Sequence, residues 1–171
     1  MEPGQVLPKV AVIVSRYNAS ITEALLAGAL EGYSGRGGDA ATVDVYRAPG
    51  AYELTALSLA AAETGRYRGV VALGCLIRGE TRHDRYIAEA VSQGLTRVSL
   101  KTGVPVTFGL LTVESGKQAR ARAGGEKGNK GADAMGAVLD AIAEVAAIRN
   151  GTPSTSESGA APDKAVKGAV A

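Results

Sequence analysis

Apolar residues along this chain gather into four short runs, and the segments between them carry helical periodicity. Residues 9–15 (KVAVIVS) form an unbroken apolar run of the kind found in a strand buried on both faces, and Arg16, Tyr17 and Asn18 leave it as a polar turn. Ser20 and Glu23, three apart just ahead of Ala24, Leu25 and Leu26, read as a capping box that opens a helix decaying through residues 32–38. A β-branched stretch over 42–46 reads as a second strand. Pro49 and Gly50 then turn the chain into an Ala/Leu-rich helix over 53–64, closed by Gly65. Residues 69–77 (GVVALGCLI) are the third strand, and the polar stretch 78–85 leads into a helix with Ile87, Val91, Gly94, Leu95 and Val98 on one face. Residues 104–113 (VPVTFGLLTV) are the fourth strand. A short helix over 117–122 breaks at Gly124 and Gly125, and a last helix begins near Lys130. It presents Met135, Val138, Leu139, Ile142 and Val145 to a core and stops at Asn150, before Gly151.

Strands that alternate with helices predict an α/β fold: a four-stranded parallel sheet with helices on both faces, reached by right-handed crossovers, in a three-layer flavodoxin-like sandwich. The expected organisation is an N-terminal arm over 1–8, one domain over 9–150 and a tail over 151–171. The tail is rich in Gly, Ser, Thr, Pro and Ala and has no apolar periodicity, so it reads as disordered. Ligands of open parallel sheets bind beyond the carboxyl ends of the strands. The chain's polar and aromatic residues collect there, with Tyr17 and Asn18 after the first strand, 49–53 after the second, 78–83 after the third and 114–116 after the fourth.

Composition narrows the function by exclusion. A length of 171 residues with 46% hydrophobic residues suits one domain with a sizeable core, and a net charge of +2 suggests neither a nucleic-acid nor a membrane-surface partner. One cysteine and one histidine build neither a disulfide framework nor a Cys/His metal cluster, so any cofactor is not a structural zinc. No apolar stretch is long enough to span a membrane and no secretory start is evident, which reads as a cytoplasmic protein.

The chemistry-bearing candidates follow from the loops. His83 is the lone histidine, the side-chain type best suited to passing protons near neutral pH. With Thr81 it is expected in the first turn of a helix whose unpaired N–H groups and dipole favour an anion such as phosphate. Arg122 and Lys130 flank a Gly-rich break, and arginine suits forked hydrogen bonding to phosphate. Pro49 to Glu53 could hold a polyol or a heterocycle, while Tyr17 and Phe108 could stack on a planar ring.

Together the segments PGAYE (49–53), LGCLIRGETRH (73–83), PVTFGLLT (105–112), RAGG (122–125) and GNKG (128–131) resemble the lumazine synthase family, in order and at its spacings from about residue 9 to 150. The resemblance implies condensation of 5-amino-6-(D-ribitylamino)uracil with 3,4-dihydroxy-2-butanone 4-phosphate, two small-molecule substrates, without a cofactor. It places Tyr17 on the uracil ring, lines the ring and ribityl site with Ala51, Tyr52, Glu53, Cys75, Leu76 and Ile77, and closes it with Phe108. It gives Glu80, Thr81 and Arg122 to the phosphate, proton transfer to His83, and a neighbouring basic position to Lys130. It further implies a homo-oligomer, a pentamer whose sites are shared between adjacent subunits, with Phe108 and Arg122 coming from across the interface. The link over 124–131 (GGEKGNKG) resembles that of members whose pentamers build icosahedral shells. Two departures stand out: Asp84 follows His83 where the family usually has an aromatic, and Tyr17 replaces the more usual Phe or Trp. Two other readings share this fold or site. One is a riboflavin synthase of archaeal type, which has no phosphate to expel, and the other is a non-catalytic lumazine- or flavin-binding shell protein.

Overall fold

The computed structural model describes residues 7–153. Most of the expected arm over 1–8 and tail over 151–171 therefore lies outside the described residues.

β1 (Val10–Ser15), β2 (Asp44–Ala48), β3 (Gly69–Ile77) and β4 (Val106–Val113) form one parallel sheet in the order β2-β1-β3-β4. The central strands β1 and β3 are buried on both faces, and their alternating side chains feed two separate cores. Val10, Val12, Val14, Val71 and Leu73 pack under α1 (Ala19–Gly35) and α5 (Lys130–Asn150), against Leu25, Ala29, Tyr33, Met135 and Val138. Ala11, Ile13, Val70 and Ala72 pack under α2 (Leu54–Glu63) and α3 (His83–Thr102), against Leu54, Ala61, Val91 and Leu95. The three layers expected from the sequence are present. Among the described residues no helix is long and apolar enough to cross a membrane.

Close approach of α1 to α5 is set by small residues. A Cβ at Gly131 would overlap the backbone carbonyl of Leu25, and one at Gly32 would lie 3.3 Å from Cα of Ala132. Asn129 caps α5, accepting from the Gly131 N–H at 2.8 Å, and its amide donates to the Ala24 carbonyl at 2.8 Å. One side chain thus starts one helix and ties it to another.

Several boundaries differ from the sequence expectation. The capping box does not form: α1 begins at Ala19, so Ser20 and Glu23 lie inside it, and the Glu23 carboxylate pairs with Arg47. α1 also continues past Gly32 to Gly35, because packing on α5 outweighs the low helix propensity of glycine. β2 starts two residues late. Ala40–Thr42 instead form a 3₁₀ turn capped by Asp39, whose carboxylate accepts from the Ala41 N–H at 2.9 Å. After α4 (Gly116–Arg122), the glycine break is a small hairpin of β5 (Ala123–Gly125) and β6 (Gly128–Asn129), with Gly124 and Gly128 at positive φ. α3 begins at His83, so Thr81 lies in the loop ahead of it and not in its first turn.

Candidate functional site

β1 and β3 end on the same side of the sheet, and the loops after β1, β2 and β3 enclose a cleft of about 500 Å³ there. Tyr17 and Asn18 enter it from β1, and Ala51, Tyr52 and Glu53 enter from the turn after β2. Cys75, Leu76 and Ile77 form its floor from the last residues of β3, with Thr81 and His83 beyond them. The two tyrosines are 70% and 63% exposed, so their rings stand at the cleft and not in either core. Glu80 sits on the same loop, but its side chain is outside the lining.

The end of the cleft beyond β3 is a helix start without side-chain help. Arg82 precedes α3 and makes no capping bond, so the first N–H groups of α3 keep their capacity to bind a ligand. Thr81 Oγ1 lies 3.3 Å from His83 Nδ1 and is the imidazole's hydrogen-bonding neighbour. Arg78 anchors this loop to β4: its N–H donates to the Val113 carbonyl at 2.9 Å, and its guanidinium meets Glu114 at 2.9 Å. The Glu114 carboxylate raises the pKa of Arg78 above the ordinary guanidinium value. Burial pushes the Cys75 thiol up to about 11, so the sulfur in the cleft floor is a neutral, apolar surface near neutral pH.

Phe108, Arg122 and Lys130 lie elsewhere. They line a second recess, of about 490 Å³, formed along β4 with α4 and α5, and none of the residues lining the first cleft belongs to it. Among the described residues β4 pairs only with β3 and is an edge of the sheet. Phe108, the chain's only phenylalanine, is 44% exposed there. Arg122 donates to the Gln118 carbonyl at 3.2 Å, and Lys130 pairs with Asp133 at 2.6 Å, so both cations are held at the recess wall. One chain therefore brings nine of the expected site residues to one cleft and leaves Phe108 and Arg122 in another place.

Asp84 and Ile87 also line the cleft without having been singled out as site residues from the sequence. Asp84 Oδ1 is buried and has no hydrogen-bond partner among the described residues. Its position directly after His83 was visible; its orientation was not. Asn18 was placed with Tyr17 in the turn at the ligand-binding end of the first strand but given no role, and its signal was the tolerance of asparagine for left-handed backbone.

The family model for 6,7-dimethyl-8-ribityllumazine synthase matches residues 8–146. The chain is 43% identical over 142 residues to 6,7-dimethyl-8-ribityllumazine synthase 1 of Caulobacter vibrioides, covering 83% of this chain and 93% of the relative. It is 45% identical over 132 residues to the Xanthomonas oryzae pv. oryzae protein of the same name, covering 77% and 86%. Against the Stenotrophomonas maltophilia protein of that name it is 44% identical over 132 residues, covering 77% and 85%.

Proposed function

The chain belongs to the 6,7-dimethyl-8-ribityllumazine synthase family and catalyses that reaction of riboflavin biosynthesis; from this premise we propose how its two recesses divide the work. The cleft beyond β1 and β3 takes 5-amino-6-(D-ribitylamino)uracil. Tyr17 stacks on the ring, Cys75 to Ile77 underlie it, and Ala51 to Glu53 hold the ribityl chain. The butanone substrate lies toward Thr81 and His83, its phosphate near the start of α3 and Glu80. Arg122 grips that phosphate and Phe108 closes over the ring, both supplied by an adjacent copy whose β4 recess faces the cleft.

This division fits the chemistry. The amine of the uracil and the ketone of the sugar phosphate condense to an imine with loss of water, and phosphate then leaves as the C–O bond breaks. Ring closure by the ribityl-bearing nitrogen expels a further water. His83 moves protons during imine formation and enolisation. A forked guanidinium and the N–H groups of a helix start stabilise the charge that grows on the departing phosphate. Holding two reactants in register supplies much of the remaining acceleration.

The observation that carries the reading is the separation of Phe108 and Arg122 from the rest of the site, which leaves no arginine among the described residues that line the cleft of one chain. A head-to-tail ring unites the two recesses, because the cleft and the β4 edge are different surfaces of one chain. The ring is the homopentamer implied by the family, and the resemblance of the link over 124–131 extends it to an icosahedral shell. We also assign residues 9–150 as the catalytic domain and the cytoplasm as its place, where a phosphorylated substrate is retained. Purified protein given both substrates is expected to release phosphate and form fluorescent lumazine in step, while light scattering reads a pentamer or larger. A fully active monomer would refute the shared site.

A further inference from the structure

We propose that Asn18 is a positioning residue for the ring end of the cleft, acting through the Cys75 carbonyl and through Tyr17; this rests on the cleft assignment above.

Asn18, at φ 59 and ψ 46, is the one non-glycine residue with positive φ among the described residues. That conformation is disfavoured for any residue with a side chain, least so for asparagine, and it persists only where its surroundings impose it. An asparagine at a helix N-cap ordinarily accepts a hydrogen bond from the first turn. Asn18 makes no such bond. Its Nδ2 donates instead to the Cys75 carbonyl at 2.8 Å, 57 residues away in sequence. The chain thus adopts a disfavoured backbone and forgoes a helix cap, and gains this contact in the cleft wall.

The sheet explains what the contact does. Pairing of β1 with β3 stops at Val14 and Leu73, whereas pairing of β3 with β4 continues to Ile77 and Val113. Cys75 therefore lies beyond the last backbone partner on its β1 side, and the Asn18 amide stands in for the missing strand. Peptide groups along a strand point to alternate sides. Arg78 N–H points to β4, where it meets the Val113 carbonyl, so the N–H and C=O of Ile77 point toward the cleft, as those of Cys75 do. With the Cys75 carbonyl occupied, Ile77 offers the next donor and acceptor to a ligand. The amide edge of a uracil ring, which alternates C=O and N–H, is complementary to that pair. The left-handed turn at Asn18 also reverses the chain directly after Tyr17, which holds that ring over the same end of the cleft. One residue fixes both the ring's edge contacts and its stacking partner.

The test is steady-state kinetics on Asn18→Gly, which permits the backbone but lacks the amide, and Asn18→Asp, which keeps the size but turns an acceptor toward the Cys75 carbonyl. Both variants are expected to assemble. The KM for the ribitylaminouracil is expected to rise about tenfold in Asn18→Gly, the loss of one well-placed hydrogen bond, and further in Asn18→Asp. The KM for the butanone phosphate is expected to stay within about twofold, since that end of the cleft is untouched. A parent-like uracil KM in Asn18→Gly overturns the proposal, as does an equal rise in both KM values or loss of assembly in both variants. Tyr17→Ala separates the proposal from the reading beneath it. If that variant also keeps the parent's uracil KM, the cleft assignment fails; if it raises the KM while the Asn18 variants do not, Asn18 alone is refuted.

Discussion

Replacing Arg122 by alanine isolates the phosphate half of the reaction from the ring half. Arg122 is half-buried at the β4 recess and gives a single N–H to the Gln118 carbonyl on its own helix, so most of its fork is available to an anion. That internal bond is solvent-accessible and its loss costs about 0.5 kcal/mol of stability, so the variant is expected to fold and assemble. A charge-assisted contact to a bound phosphate is worth about 1.5 to 3 kcal/mol. Its removal lowers kcat/KM for the butanone phosphate by roughly one to two decades, and by more if the guanidinium tightens on the leaving phosphate. Uracil binding is expected to be nearly unchanged, because Tyr17, Tyr52 and the floor of β3 lie in the other recess. The assay varies each substrate at saturation of the other, following lumazine fluorescence and phosphate release together. Arg122→Lys is expected to recover little, since a point charge does not reproduce the fork. An Arg122→Ala enzyme whose uracil KM rises as much as its phosphate-substrate KM would refute the reasoning, and would make Arg122 a general interface residue.

Five further expectations are quickly checked. His83→Ala is expected to lower kcat by no more than the ~10²–10⁴ typical of proton-transfer groups; a parent-like rate from pH 6 to 8 would remove it from the mechanism. Gly131→Ala forces α5 away from the Leu25 carbonyl and is expected to lose about 1–3 kcal/mol, read as a fall in Tm of several degrees. The Cys75 thiol, 1% exposed, is expected to react slowly with iodoacetamide at pH 8 in the native protein and quickly in guanidinium. Because its folded pKa is raised from 9.0 to about 11, the unfolded chain loses that proton first, and stability is expected to fall as pH rises through this window. Deleting residues 154–171 is expected to leave assembly and turnover unchanged, since α5 closes at Gly151 with a left-handed C-cap.

The four strands were legible because parallel strands covered on both faces leave unbroken apolar runs, as residues 9–15 and 69–77 do. The gathering of Tyr17, Tyr52 and His83 followed from the rule that ligands meet such sheets at their carboxyl ends. What escaped was non-local. Ser20 and Glu23 fit a capping box by spacing, yet the start of α1 is governed by Asn18, whose partner lies 57 residues away on another strand. Packing of Gly32 on α5 carried α1 past the point where propensity alone would end it. The break at Gly124 and Gly125 was visible, but the β5–β6 pairing depends on Asn129, which also answers to Ala24 on α1. Periodicity put Phe108 on a strand without saying whether it faced a core; its exposure on the β4 edge is a tertiary fact.

Because the cleft and the β4 recess are separate surfaces of one chain, genotype and phenotype are offset by one position in the proposed ring. A subunit altered at Arg122 keeps a sound cleft and disables its neighbour's, whereas a subunit altered at Tyr17 disables its own and still serves the next. When two such defective alleles are co-expressed, some junctions join an unaltered cleft to an unaltered recess, and those junctions work. Each allele alone gives no such junction. Inheritance of the two lesions together would therefore restore what neither parent has, and of the two only the Arg122 allele would harm the products of a good one.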